Sequence, residues 1–75
     1  MDRESEFSKA AGHRILKNQT DKRVSGDAAL QLVEELTEIG GEIAEQAQSY
    51  AEHAGRKTVQ LQDVRQAIRD YREDR

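Results

Sequence analysis

The 75-residue chain has no cysteine, no proline and no tryptophan, and its aromatic side chains are Phe7, Tyr50 and Tyr71. Without cysteine there is neither a disulfide framework nor a thiolate metal site, which fits a reducing interior. His13 and His53 lie too far apart in sequence to suggest metal-ligand spacing, so no metal and no other cofactor is implied. With no proline, and glycine mostly at segment junctions or in the middle of one long stretch, the composition is that of an all-α protein. No apolar run approaches the roughly 20 residues that span a bilayer. The opening MDRESEF lacks a signal-peptide core, so the chain reads as a soluble protein that stays in the cytoplasm where it is made. Residues 1–75 read as one domain without repeats, small enough that a single core is marginal. Since no disulfide or metal can staple it, oligomerisation is the remaining common remedy.

What the chain does have is a long amphipathic stretch, Ser25 to His53. At helical spacing, Ala29, Leu32, Val33, Leu36, Ile39, Gly40, Ile43, Ala47, Tyr50, Ala51 and Ala54 fall within an arc of about 120°. Glu34, Glu35, Glu38, Glu42, Glu45 and Glu52 occupy the other side with Gln31, Gln48 and Ser49. At a rise of about 1.5 Å per residue this helix is roughly 40 Å long, more than short flanking segments can cover. A second copy of the stripe is the natural partner, and an obligate homodimer is predicted. Gly40 and Gly41 each cost about 1 kcal/mol of helix stability relative to alanine. Close approach of two long helices accounts for Gly40, on the apolar face; nothing in the pattern accounts for Gly41.

The flanks are shorter. A first helix is predicted over about 6–18, capped by Ser5 or Ser8, with Phe7, Ala11 and Ile15 on its inner face and Leu16 beside them. Arg14 and Lys17 point together away from that core, Lys9 and His13 read as solvated, and Asn18 reads as a left-handed stop. A polar loop, NQTDKRV, places Lys22 and Arg23 just outside the N-terminus of the long helix (about 25–53), which Ser25 caps and Asp27 favours through the dipole. Such a position suits phosphate. Gly55 stops the long helix, RKTVQ (Arg56 to Gln60) is a short extended connection, and a last helix over about 61–71 carries Leu61, Val64, Ile68 and Tyr71 on one face. Residues 1–6 read as a short flexible terminus and 72–75 as a frayed one.

The formal charge of −3 conceals an asymmetry. Residues 9–23 carry five basic side chains against Asp21 alone, whereas 26–52 carry seven carboxylates and neither lysine nor arginine. Arg56 and Lys57 restore positive charge directly after the long helix. On charge alone, these clusters are equally compatible with ordinary solvated faces.

Short, long and short helices joined by two basic loops are the layout of the histone fold. RVSGDA (Arg23 to Ala28), the run from Leu36 to Ala54, HAGRKTV (His53 to Val59) and QDVRQAIRDY (Gln62 to Tyr71) closely resemble the archaeal histones. The resemblance extends from about Phe7 to Tyr71 and implies a handshake homodimer in which the first loop of one chain lies beside the second loop of its partner. It implies a double-stranded DNA partner, with Arg23 reaching into a minor groove, Lys57 and Thr58 holding phosphates, and Arg14 and Lys17 on the backbone. Lys22, Ser25 and the amides of the long helix would assist. Such backbone binding selects DNA by ease of bending more than by base identity. It further implies a contact between dimers through Tyr50, His53 and Asp63, with His53 bonded to Asp63, and a salt bridge within one chain between Arg56 and Asp63. Tetramers or longer assemblies on the nucleoid, and heterodimers with another histone, follow from the same resemblance.

The sequence departs from that family in being acidic, in carrying Gln60 after the RKT-hydrophobic run where lysine is familiar, and in having Gly41 where a basic residue is common. Arginine within an acidic surface would suit a cytoplasm of high salt, in which counterion release contributes less to binding. The competing reading is a histone-fold interaction module, transcription-factor-like, or a dimer that coats DNA without wrapping it. A monomeric three-helix bundle is a third, and would leave much of the long stripe exposed. His53 can also be read as a cap on the last carbonyls of its own helix. His53 and Asp63 do not make an enzyme, since no serine or cysteine nucleophile and no glycine-rich pocket accompany them. No catalytic residue and no small-molecule substrate are implied.

Overall fold

The computed structural model describes residues 8–74. They form three helices, α1 (Lys9–Lys17), α2 (Gly26–His53) and α3 (Leu61–Glu73), and no strand occurs among them. Phe7 and the alternative cap Ser5 lie outside the described residues. The chain divides into two compact units, residues 1–39 and 40–75, so each half of the long helix belongs with one short helix.

Local chemistry explains the boundaries. Ser8 caps α1, its hydroxyl oxygen accepting from the Ala11 N–H at 3.1 Å. α1 ends at Asn18 in the right-handed conformation (φ −70°, ψ −18°), with the Asn18 N–H on the Arg14 carbonyl, so no left-handed residue is needed there. Ser25 caps α2 through the Ala28 N–H at 3.1 Å. Gly55 terminates α2 with φ +73°, the Arg56 N–H reaching back to the Ala51 carbonyl and the Gly55 N–H to Glu52, each at 3.0 Å. Those two bonds satisfy carbonyls that the helix end would otherwise leave open, and the positive φ explains the glycine. α3 runs two residues past the sequence estimate, through Glu73, with Arg72 favourably placed in its last turn.

In the first unit, α1 meets the first half of α2 through Gly12, which is buried, with Leu16 half-buried one turn on. Ile15, assigned from periodicity to the inner face, is instead 41% exposed. The reason is steric: a Cβ built on Gly12 would lie 2.5 Å from the Ala29 carbonyl oxygen and 2.8 Å from Val33 Cγ2, so the backbones approach on the glycine side. In the second unit, Ala47 and Ala51 of α2 and Ala67 of α3 are buried. The Tyr50 hydroxyl donates to the Asp70 carboxylate, whose other oxygen accepts from Gln66 Nε2 at 3.1 Å. That bond and partial burial raise the pKa of Tyr50 above its ordinary value.

Among the described residues the buried apolar ones are Ala29, Val33, Ala47, Ala51 and Ala67, small side chains throughout. Leu32, Leu36, Ile39 and Ile43 are half-buried, and Leu30, Val59 and Leu61 are exposed, the last at 65%. A Cβ built on Gly40 or on Gly41 meets nothing within 4 Å, so neither glycine is required by contacts within the single chain.

Candidate nucleic-acid interface

The first loop follows α1. Lys22 and Arg23 are exposed there, and the Lys22 N–H donates to the Thr20 hydroxyl at 3.1 Å in a local turn. Two α1 side chains reach this loop: Lys17 Nζ donates to the Lys22 carbonyl and His13 Nε2 to the Val24 carbonyl, each at 2.9 Å. A carbonyl only accepts, so the His13 Nε2 carries a proton. His13 is therefore half-buried and engaged, where periodicity suggested a solvated ring. Lys17 retains two further N–H donors; Arg14 is exposed on the same helix. Ser25 closes the loop as the α2 cap, leaving the first α2 amides beside Arg23 in sequence.

The second loop, residues 54–60, is held by Arg56. Its guanidinium grips Asp63 in the first turn of α3 with both arms, Nη1 to Oδ2 at 2.7 Å and Nη2 to Oδ1 at 2.9 Å, and also touches the Thr58 carbonyl at 3.3 Å. The Gln60 N–H donates to Asp63 Oδ2 at 2.8 Å, so one carboxylate fastens both the loop and the start of α3. The fork geometry of arginine suits this pairing, and the Asp63 side chain is 3% exposed. Between these anchors Lys57 and Thr58 stand exposed. Within the single chain no hydrogen bond joins Asp63 to His53, which is exposed with Nδ1 on the Ser49 carbonyl of its own helix at 3.0 Å.

The Arg56 hydrogen bonds, helped by the Gln60 N–H and opposed by burial, lower the Asp63 pKa from 3.8 to about 2, while Arg56 is shifted upward by the same bond. A carboxyl whose folded pKa is depressed stabilises the fold fully above its unfolded value and loses that contribution as pH falls through the folded one. Circular dichroism should therefore show stability falling between about pH 4 and pH 2 in the parent protein. Asp63→Asn should be less stable at neutral pH and lose part of that acid dependence; an identical acid profile would show that the pair does not contribute.

Among the described residues, Arg14, Lys22, Arg23 and Lys57 have no carboxylate partner, and no group of three or more His, Asp or Glu is placed to hold a metal ion. No helix among them is long and apolar enough to cross a membrane. Periodicity did not reveal His13, nor Gln66 and Asp70 beside Tyr50. The available signals were i, i+4 pairs, His13 with Lys17 and Gln66 with Asp70.

Short, long and short helices, with cation-bearing loops adjoining both ends of the long one, define an all-α histone-fold protein. Residues 5–68 match the family described as histone-like transcription factor (CBF/NF-Y) and archaeal histone, and the chain belongs to that family. It is 45% identical over 56 residues to one of the subunits of archaeal histone HAN1 in Thermococcus zilligii, and 46% identical over 56 residues to probable archaeal histone 3 of Methanocaldococcus jannaschii. Each alignment covers 75% of this chain and 84% of the relative. The protein is thus a DNA-binding chromatin protein, of a family that is structural and not enzymatic.

Proposed function

We propose that two copies of this 75-residue domain clasp as an obligate handshake homodimer that binds and bends double-stranded DNA with little sequence readout. The observation that carries this reading is the apolar set left uncovered in one chain. Leu32, Leu36, Ile39 and Ile43 are half-buried and Leu30 is 45% exposed, so α2 offers a second copy the surface that its own short helices leave open. Crossing near Gly40 would use the open space there.

In such a dimer the first loop of one chain lies beside the second loop of its partner, and their free cations form one ridge. Arg23 enters the minor groove, Lys57 and Thr58 hold phosphates, and Arg14, Lys17 and Lys22 track the backbone. Ser25 and the first α2 amides add donors at the positive end of the helix dipole. Dimers then associate through Tyr50, His53 and Asp63 into tetramers or longer arrays on the chromosome, and another histone can take the place of the second copy. For His53 the exposed ring leaves Nε2 available to a neighbouring Asp63, while Nδ1 stays on its own helix.

A second reading, a dimer that coats DNA without wrapping it, is favoured by the exposed Glu34, Glu35, Glu38, Glu42 and Glu45 and by Gln60 in the second loop. Nuclease digestion of reconstituted DNA separates the two. Wrapping assemblies give a ladder of regular increments, and His53→Ala shortens its longest fragments; a single short footprint supports the coating dimer. A ladder that His53→Ala leaves unchanged removes His53 from the contact between dimers.

A further inference from the structure

We propose that His13 and Lys17 are positioning residues for DNA binding, clamping the backbone on both sides of Arg23 so that its side chain is presented already ordered. The inference rests on the reading of Arg23 as a DNA contact and adds residues to that site. His13 and Lys17 lie one turn apart on α1, and the carbonyls they hold, Val24 and Lys22, are those directly after and directly before Arg23 in the chain. The Thr20 hydroxyl takes the Lys22 N–H at 3.1 Å, adding a third bond to the same short segment. Arg23 itself is exposed and its guanidinium makes no hydrogen bond or ion pair among the described residues, while the carbonyls on either side of it are held.

The physical consequence concerns entropy. A loop ordered only on contact with DNA subtracts the cost of ordering from affinity, whereas one fastened to a helix has met that cost during folding. His13 touches the loop through a ring nitrogen on a main-chain oxygen, so it acts on DNA only through Arg23. This separates it from a phosphate contact, whose loss would reduce the salt dependence of binding.

The test is anisotropy titration of a mixed-sequence DNA duplex over a salt series, with His13→Leu and His13→Gln in the parent and in an Arg23→Ala background. Circular dichroism and sedimentation establish that each variant remains a folded dimer. His13→Leu, which keeps bulk and loses the donor, should weaken binding by about 3- to 10-fold, the effect of one net hydrogen bond. His13→Gln, whose amide N–H can replace the ring donor, should stay within about twofold of the parent. The salt slope should not change, and His13→Leu should have no further effect once Arg23 is alanine. Amide exchange at Lys22, whose N–H the Thr20 hydroxyl holds, should accelerate in His13→Leu as the loop loosens.

Unchanged binding by His13→Leu, or an equal loss with and without Arg23, overturns the clamp. A slope lowered by roughly 2, one phosphate contact from each of the dimer's two copies, overturns it too, because His13 would then be touching phosphate itself. If Arg23→Ala alone binds like the parent, the failure lies with the assignment of Arg23 and not with the clamp. Should His13→Leu not fold, Lys17→Met enters the same cycle. Its lost charge lowers affinity in both backgrounds, and an additional loss confined to the Arg23-containing protein supports the clamp, while equal losses overturn it.

Discussion

DNA retardation is expected to disappear when both loop cations are reversed, Arg23→Glu together with Lys57→Glu, while the dimer remains intact. Both side chains are exposed and neither has a carboxylate partner among the described residues, so folding draws little from them. Binding draws heavily on them. Each dimer would present two copies of each residue, and abolishing one cation–phosphate pairing takes about 0.9 off the slope of log affinity against log salt, so the slope should fall by roughly 3 to 4. Repulsion between the new carboxylates and DNA adds to that loss, and affinity at low salt should drop by at least roughly 100-fold. Sedimentation should give the parental dimer in the same buffer. Parental binding by the double variant throughout the salt series would place the DNA surface elsewhere on the molecule.

The acidic face of α2 gives that experiment its sensitivity. Five exposed glutamates, from Glu34 to Glu45, repel a polyanion, so the loop cations, with Arg14 and Lys17 of α1, must supply the attraction. A chain with a large basic surplus could lose two cations and still bind through the rest; one with a net charge of −3 has no such reserve.

The parts legible in the sequence are those governed by local rules. The stripe of α2 follows from helical period, the caps Ser8 and Ser25 from their hydroxyls, and the Gly55 stop from the left-handed backbone that glycine accepts. Contacts between segments were not legible in this way. Arg56 and Asp63 are seven residues apart across a helix stop, and no local rule links them; only the family resemblance named the pair. Which loop carbonyls remain open for His13 and Lys17 depends on the path of the loop, and periodicity carries no information about it. Asn18 tolerates a left-handed conformation, yet a single right-handed turn suffices to redirect this chain. Periodicity puts Ile15 on the inner face because hydrophobicity ranks isoleucine above glycine, while at Gly12 the approach of α2 leaves room for no side chain.

That contact sets up opposite responses to one chemical change. A glycine inside a helix costs about 1 kcal/mol relative to alanine, so helix propensity alone would have both Gly12→Ala and Gly41→Ala stabilise the protein. At Gly41 nothing lies within 4 Å of the added Cβ, and the gain should appear as about 0.5–1 kcal/mol per chain, chiefly from restricting the unfolded state. At Gly12 the added atom would sit 2.5 Å from the Ala29 carbonyl oxygen, a main-chain atom fixed in α2 that cannot turn aside as a side chain can. α1 must then move away from α2, and overpacking of this kind costs about 1–3 kcal/mol, outweighing the propensity gain. For a domain of this size each kcal/mol moves the melting temperature by roughly 4–8 °C. Thermal unfolding at one fixed protomer concentration should therefore rank Gly41→Ala above the parent and Gly12→Ala well below it. Gly12→Val should be worse again, since its branches also meet Val33, whose Cγ2 already lies 2.8 Å from the Cβ position. If Gly12→Ala melted at or above the parental temperature, the close approach of α1 to α2 would be excluded, and the His13 and Lys17 bonds to the first loop would lose their foundation.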